Sequence, residues 1–299
     1  MGRKTLIRIT IDIFSGRTNP FIELKGDNAF DILNRLKPTR RLKKEEVRNF
    51  PSSTLGYRGL IIEQLGVKYR ELPRIFRFVD GSLFGPGLSH IAREEDFEDR
   101  FFNPEGPIRF IKPKDRFLRL LKEELERYRH LREYYKILIR VPLSTFNPCR
   151  CHPPYDLDWW NQGRSNAIQN CNNCYNYGCN YRTDTFAQPG LAAGAMYSSI
   201  SCSAVKEAAE LDGLLDRPDA NNKCPVEGHL TALVIAPDLD FHWYRKSKTG
   251  YWSHKPGGTP ATTFDNSGEL IRDPRLANRG MYTEFCTFMV VLHGHIKLK

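Results

Sequence analysis

The sequence predicts a two-domain α+β protein, and its length, charge distribution and cysteine distribution support that prediction. The 299 residues exceed what one compact domain usually needs. A hydrophobic content of 40% with 27% charged residues is typical of a folded protein. Residues 1–145 contain 30 of the 45 Lys and Arg but only 20 of the 35 Asp and Glu, whereas residues 146–299 are neutral and contain all 8 cysteines. We therefore expect a basic α+β domain over 1–145 and a cysteine-rich domain over 146–299.

The first elements of the basic half are predicted from periodicity and turn residues. Hydrophobic and polar residues alternate over 6–14, which is typical of a half-buried strand. A turn rich in Gly, Asn and Pro follows, so Phe21–Leu24 is expected to return as the second strand of a hairpin. Asp27 or Asn28 is predicted to cap a short helix that ends before Pro38.

Helical spacing of apolar residues predicts a long helix over 115–136, and further strands are expected over 55–62 and 74–79. The densest basic run covers residues 39–46. Clustered Lys and Arg attract phosphates and other anionic groups, so an anionic polymer is a candidate partner of this half. Acidic residues are interspersed, and no helix-turn-helix, zinc-finger or RNA-binding motif is present. A solvated surface is the simpler interpretation.

The cysteine-rich half begins after a boundary rich in Pro, Cys and polar residues at 142–154. Asn172 or Asn173 is expected to cap a helical turn that begins at Cys174, because a short amide side chain can accept from the first helical N–H groups. The remaining elements predicted in this half are a helix over 201–211 and strands over 229–235, 240–245, 251–255 and 282–292.

The order of these elements resembles that of NlpC-type papain-like cysteine peptidases and amidases. Cys174 follows a polar cap, His242 lies near the start of a strand, and His254 lies on the next arm after a glycine turn. The resemblance covers about residues 165–292. Asn173-Cys174-Tyr175-Asn176 stands where the family has Asp-Cys-Ser-Gly, and 68 residues separate Cys174 from His242.

The resemblance implies a papain-like fold, with a helix packed on an antiparallel sheet, and hydrolysis or transfer of an amide bond without a cofactor. Cys174 would be the nucleophile, His242 the general base and His254 the residue that orients it; Asp240, Asp265 and Asn266 are reserve candidates for orientation. The substrate would be a peptide or a peptidoglycan-like polymer. The aromatic residues expected to line its groove are Tyr175, Tyr177, Trp243 and Trp252. A thiolate at a helix start beside an imidazole is a chemically reasonable nucleophile.

A non-enzymatic protein is the alternative. Eight cysteines in a loop-rich half are typical of a disulfide-stabilised structural or binding module, which could self-associate through its Tyr-, Trp- and Asn-rich surface. Bridges among Cys149, Cys151, Cys171 and Cys179 would leave Cys174 free. At least one disulfide is expected in this interpretation.

A structural zinc site is the third hypothesis. Its ligands would be Cys149, Cys151 and His152 together with Cys171, Cys174 and Cys179, because thiolate and imidazole are the ligands that zinc prefers.

The sequence shows no apolar stretch long enough for a transmembrane segment and no recognisable signal peptide. It also lacks an N-x-Ser/Thr acceptor for glycosylation. A cytoplasmic or non-classically exported protein is therefore the expectation, and the compartment is left open.

Overall fold

The structure is a computed structural model that describes residues 4–48, 50, 53–111, 114–135, 149, 152–161 and 167–299. The chain forms two compact units. Unit 1 comprises Met1–Ile13, Asn19–Pro51 and Tyr57–Ile137, and unit 2 comprises Phe14–Thr18, Ser52–Gly56 and Leu138–Lys299. Each unit combines helices with an antiparallel sheet, which confirms the α+β class. The boundary predicted between residues 145 and 146 lies outside the described residues.

Unit 1 is built on a seven-stranded antiparallel sheet. Its strands are β1 (Leu6–Ile11), β2 (Phe21–Lys25), β3 (Pro38–Arg41), β4 (Leu60–Gln64), β5 (Ile75–Val79), β6 (Ser82–Gly85) and β7 (Leu88–Ala92). They lie in the order β2-β1-β4-β5-β6-β7-β3. The predicted hairpin is confirmed, because β1 and β2 pair with Ile9 opposite Ile22. Alternation along β1 places Ile7, Ile9 and Ile11 in the core with no exposed surface.

The helices of unit 1 are α1 (Gly26–Arg35), α2 (Lys44–Arg48), α3 (Phe97–Phe101) and α4 (Asp115–Tyr135). The long helix predicted over 115–136 is confirmed by α4. The cap predicted for α1 is wrong, since the helix begins at Gly26 and its N-cap, Lys25, makes no side-chain hydrogen bond to the helix. Asp27 lies in the first turn instead, where a negative charge is favourable beside the helix N-terminus.

The strand predicted over 55–62 begins later than expected, at Leu60. Gly56 and Gly59 adopt φ values of 87° and 115°, which interrupt an extended conformation. A Cβ atom on Gly59 would lie 2.6 Å from the Phe78 carbonyl oxygen, so glycine is required for the close approach of β5. The short strands β6 and β7 have too little alternation for sequence periodicity to reveal them.

Unit 2 is built on a five-stranded antiparallel sheet. Its strands are β8 (Leu215–Asp216), β9 (His229–Ala236), β10 (Asp240–Lys246), β11 (Trp252–His254) and β12 (Glu284–Val291). Their order in the sheet is β11-β10-β9-β12-β8. The helices are α5 (Leu157–Trp160), α6 (Ala167–Cys171), α7 (Cys174–Gly178) and α8 (Cys202–Leu211). None of the helices in the described part of the chain has the length and apolar character needed to cross a membrane.

The centre of unit 2 is the strand pair β9 and β10, in which every residue is buried. These strands pair antiparallel with His242 opposite Val234. The predicted hairpin of 240–245 with 251–255 is confirmed by the pairing of β10 with β11, which sets Tyr244 opposite His254. Helix α7 packs against β10. The fold therefore carries Cys174 and the two predicted histidines on adjacent elements of one core.

Candidate functional site

The residue that precedes Cys174 holds the start of α7 in place. The Asn173 side-chain oxygen accepts hydrogen bonds from the N–H groups of Tyr175 and Asn176 at 3.0 and 3.1 Å. The Asn176 side-chain oxygen accepts from the Asn173 N–H at 3.0 Å, which completes a capping box. The prediction that an asparagine caps a helical turn at Cys174 is thus confirmed.

The Cys174 sulfur lies against the backbone of β10 at the position of His242. Its thiol donates to the Phe241 carbonyl oxygen at 3.8 Å, and the Trp243 N–H bonds to the sulfur. Cys174 has no exposed surface and belongs to a hydrophobic cluster with Phe241 and Trp243. Burial, followed by the nearby Asp240 carboxylate, raises the pKa of the Cys174 thiol well above its ordinary value. The sulfur is therefore a protonated thiol near neutral pH.

His242 and His254 form a hydrogen-bonded pair. His242 Nε2 lies 2.9 Å from His254 Nδ1, and His254 Nε2 lies 3.0 Å from the Phe264 carbonyl oxygen. Because a carbonyl only accepts, His254 donates from Nε2, and burial lowers the pKa of His254 to about 4, so its ring is neutral and Nδ1 accepts from His242. The carbonyl therefore fixes the tautomers of both rings. The catalytic roles of Cys174, His242 and His254 stay predictions.

A buried aspartate binds the chain segment that the sequence predicts to be the turn after β1. Asp240 accepts hydrogen bonds from the N–H groups of Ser15, Gly16 and Arg17, the closest at 2.6 Å, and from the Tyr282 hydroxyl. This carboxylate therefore anchors residues 14–18 within unit 2. Asp240 thus binds backbone N–H groups and a tyrosine hydroxyl, and not a histidine ring as its reserve role would require. Local periodicity offered no signal for such a contact, because the segment is more than 220 residues away in sequence.

Gly16 is fitted tightly to this place. A Cβ atom on Gly16 would lie 2.3 Å from the Phe241 ring. Its carbonyl oxygen accepts from the side-chain amides of Asn173 at 2.9 Å and Gln188 at 2.8 Å. The segment 14–18 thus packs on the residue that caps α7, immediately before Cys174.

The four aromatic residues predicted to line a substrate groove have no exposed surface. Tyr175 and Trp243 pack ring to ring at 5.2 Å, and the Tyr175 hydroxyl donates to Asp212 at 2.9 Å. The Tyr177 hydroxyl donates to Ser253, and the Trp252 ring N–H donates to Asn222. All four are core residues in this structure, and the polar atoms of Tyr175, Tyr177 and Trp252 are hydrogen-bonded, whereas the buried Trp243 ring N–H has no partner among the described residues. Their groove-lining role stays a prediction.

The cysteine pairing differs from the pairs considered in sequence analysis. Cys149 is bonded to Cys224 and Cys202 to Cys286, which confirms that at least one disulfide is present. The bridges close loops of 75 and 84 residues. The free cysteines in the described part of the chain are Cys171, Cys174 and Cys179.

The predicted zinc ligands are not assembled as one set. Cys149 is paired with Cys224, Cys174 and Cys179 are buried in the hydrophobic cluster, and Cys151 lies outside the described residues. Across the described ranges, one group of His, Cys, Asp or Glu has metal-ligating atoms within 4.8 Å of one another, and it consists of Cys149, His152 and Cys224. Two of its three members form the disulfide.

Comparison with known proteins gives one informative relationship. The chain is 44% identical over 143 residues to "Insoluble matrix shell protein 1" of Ruditapes philippinarum. The match covers 47% of this chain and 91% of that protein. No family description matches the sequence, and no solved structure matches the fold. At this identity, and with nearly all of the relative covered, the chain belongs to the same family as insoluble matrix shell protein 1.

Proposed function

We propose that this chain is a non-enzymatic, disulfide-stabilised structural protein that self-associates in an insoluble matrix. The relationship to insoluble matrix shell protein 1 carries the proposal. The alternative reached from the cysteine content thereby takes precedence over the hydrolase hypothesis.

The covalent framework of unit 2 supports this function. Each disulfide joins segments far apart in sequence, and such bridges restrict the unfolded chain and stabilise a fold in an oxidising environment. Apolar side chains also line a surface depression, namely Leu215, Val226, Val290 and Leu292. Val226 is 94% exposed. The charged residues Arg217, Asp219, Lys223 and Glu227 line the same depression, and a surface that combines exposed apolar and charged side chains is typical of protein–protein contacts.

The test is the assembly state of the full oxidised chain. We expect sedimentation velocity to show large species that grow with protein concentration, and we expect their proportion to fall when a reductant opens the disulfides. Chain alkylated after reduction serves as the matched control for the reductant itself. A monomer at every concentration, with or without reductant, would contradict the proposal.

A cysteine hydrolase is the second candidate, and the contacts of Cys174 and the histidine pair favour it. The sulfur contacts the backbone of Phe241 and Trp243, the two neighbours of His242, and His242 is hydrogen-bonded to His254. The burial of Cys174 and its raised pKa oppose it, because catalysis needs an accessible thiolate.

Iodoacetamide labelling near pH 7 separates these two functions. The structural proposal expects Cys174 in the native chain to label no faster than Cys179, which is equally buried. Rapid alkylation of Cys174, together with hydrolysis of an amide substrate that Cys174→Ala abolishes, would establish the hydrolase instead.

The basic unit 1 adds a candidate partner, an anionic polymer of the matrix. Several of its cations are engaged in ion pairs, such as Arg40 with Glu46 and Arg129 with Asp99, which reduces the attraction expected from net charge alone. Co-sedimentation with a sulfated polysaccharide at increasing salt tests this partner. Binding should weaken steeply with salt if phosphate-like or sulfate groups are recognised through charge.

A further inference from the structure

The two disulfides found among the described residues of unit 2 differ in their access to solvent. Cys224 is exposed and lines the surface depression, whereas its partner Cys149 is buried. Cys202 and Cys286 are both partly buried. A thiolate from outside therefore reaches the Cys224 sulfur more readily than any other bridged sulfur.

The groups beside the two bridges differ in the charge they favour. A ring nitrogen of His152 lies within 4.8 Å of the sulfurs of Cys149 and Cys224. At the other bridge, a Glu284 carboxylate oxygen lies 3.7 Å from the Cys202 sulfur. A carboxylate opposes the negative charge of a departing thiolate, whereas an N–H donor stabilises it.

His152 offers such a donor. Its Nε2 accepts a hydrogen bond from the Leu230 N–H at 2.9 Å, so the proton of the neutral ring resides on Nδ1. Nδ1 is buried and has no hydrogen-bond partner among the described residues. Burial lowers the pKa of His152 to about 4, which keeps the ring neutral. With its proton on Nδ1, the ring has an N–H donor at that position. A protonated Nδ1 has no lone pair for a metal ion, so it acts as a donor and not as a metal ligand.

We propose that Cys224 is a thiol-exchange site, at which an external thiolate opens the Cys149–Cys224 disulfide while the His152 N–H stabilises the Cys149 thiolate that is released. The inference rests on the proposed function, because a thiolate from a second copy would turn this exchange into a covalent link within the matrix.

The exchange balances without an oxidant or a reductant beyond the thiol itself. The attacking thiolate forms a bond to the Cys224 sulfur as the bond between Cys149 and Cys224 breaks. The electron pair of the broken bond goes to Cys149, which leaves as a thiolate and accepts the hydrogen bond from His152 Nδ1. One disulfide is consumed and one mixed disulfide is formed.

The first experiment treats the full oxidised chain with limiting glutathione, quenches with a thiol-alkylating reagent at set times and maps the adducts by mass spectrometry. We expect glutathione on Cys224 and the alkyl group on Cys149, appearing about tenfold faster than any change at Cys202 or Cys286. Equal rates at the two bridges, or earlier opening of Cys202–Cys286, would overturn the proposal.

Two variants test the role assigned to the neighbouring groups. His152→Phe keeps a planar ring but removes the donor, so opening of Cys149–Cys224 should slow about tenfold while opening of Cys202–Cys286 is unchanged. Glu284→Gln should speed opening of Cys202–Cys286 and leave Cys149–Cys224 unchanged. Circular dichroism establishes that both variants are folded. An unchanged rate in folded His152→Phe rules out the stabilisation by His152.

The second experiment distinguishes the sources of the thiol and separates the site from the function. Chains with natural and heavy isotopes are mixed without glutathione, and disulfide-linked peptides are mapped. A mixed-isotope link at Cys224 supports exchange between copies. A glutathione adduct at Cys224 without such a link overturns the matrix cross-link but retains the exchange site. Assembly that persists with neither adduct nor link overturns the site and leaves the proposed function intact.

Discussion

Units 1 and 2 are both α+β, but they stabilise buried polar groups by different means. Unit 1 contains no cysteine and buries ionisable side chains, such as Asp12 with Arg58 and Glu98 with Tyr57. Among its described residues unit 2 has two disulfides, and its buried charged side chains bond to neutral groups, as Asp240 does to backbone N–H groups and Lys255 to backbone carbonyl oxygens. We therefore expect the stability of unit 1 to depend on the pairing of buried charges, and that of unit 2 to respond to redox state.

The largest expected effect is the loss of a buried ion pair from unit 1. Arg58 and Asp12 lie 2.6 Å apart with side chains 2% and 5% exposed, and Arg77 contacts the same carboxylate. Burial alone would raise the pKa of Asp12, but the two guanidiniums hold it well below its usual range. Arg58→Met should lower the free energy of unfolding of unit 1 by about 3–5 kcal/mol, because it leaves a buried carboxylate undercompensated.

Hydrogen exchange measured by mass spectrometry at increasing urea resolves the two units and tests this expectation. The matched control is Arg8→Met, which removes an ion pair with Glu23 whose side chains are 37% and 38% exposed. That change should cost no more than about 1 kcal/mol. If both substitutions lowered the free energy of unfolding equally, the buried ion pair would not stabilise unit 1 more than an exposed one.

Removal of a disulfide is the next largest effect and should be confined to unit 2. Replacing Cys149 and Cys224 with serine, or Cys202 and Cys286 with serine, should cost about 2–4 kcal/mol in each case because of the long loops that the bridges close. The same hydrogen-exchange measurement should show no change in unit 1. If unit 1 were also destabilised, the effect of the disulfides on stability would not be confined to unit 2.

The effect of pH on unit 1 should be smaller. We expect its free energy of unfolding to fall by about 2 kcal/mol between pH 5 and pH 7. Burial raises the pKa of Glu98 from 4.5 to about 8, although the Tyr57 hydroxyl and the Asp80 N–H both donate to the carboxylate. Since the folded pKa lies above the unfolded one, this stabilisation is complete below about pH 4.5 and is lost as pH rises through about 8. Glu98→Gln should flatten that pH dependence of the free energy of unfolding. Urea unfolding of the natural chain and of the variant at several pH values measures the difference.

The sequence predicted the elements whose signals are local. Alternation identified β1, helical spacing identified α4, and the asparagine before Cys174 identified the cap of α7. Even the contact between His242 and His254 followed from a hairpin with a recognisable turn. Each of these depends on residues close together in the chain.

What could not be predicted depends on contacts between distant segments. The binding of residues 14–18 by Asp240 joins positions more than 220 residues apart. The pairing of Cys149 with Cys224 could not be chosen from eight cysteines by spacing alone. The burial of Trp243 and Trp252 could not be predicted for the same reason. An aromatic residue on a strand can line a groove or fill a core, and only the elements that pack on the strand decide between the two. Sequence therefore predicted the contact between His242 and His254 but not the burial of Cys174 and of the aromatic residues, and the catalytic roles stay predictions.

The smallest expected effect on stability comes from a helix cap. Units 1 and 2 differ in whether the N-cap side chain of a helix makes a hydrogen bond to the backbone. In unit 2 the Ser201 hydroxyl accepts from the Ala204 N–H at the start of α8, whereas in unit 1 the cap of α1, Lys25, makes no such bond. Ser201→Ala should therefore cost about 1 kcal/mol, and Lys25→Ala should cost close to nothing. Chemical denaturation monitored by hydrogen exchange in α8 and α1 measures both. Equal costs would mean that the Ser201 hydroxyl does not stabilise α8, and that polar capping is not part of what distinguishes unit 2.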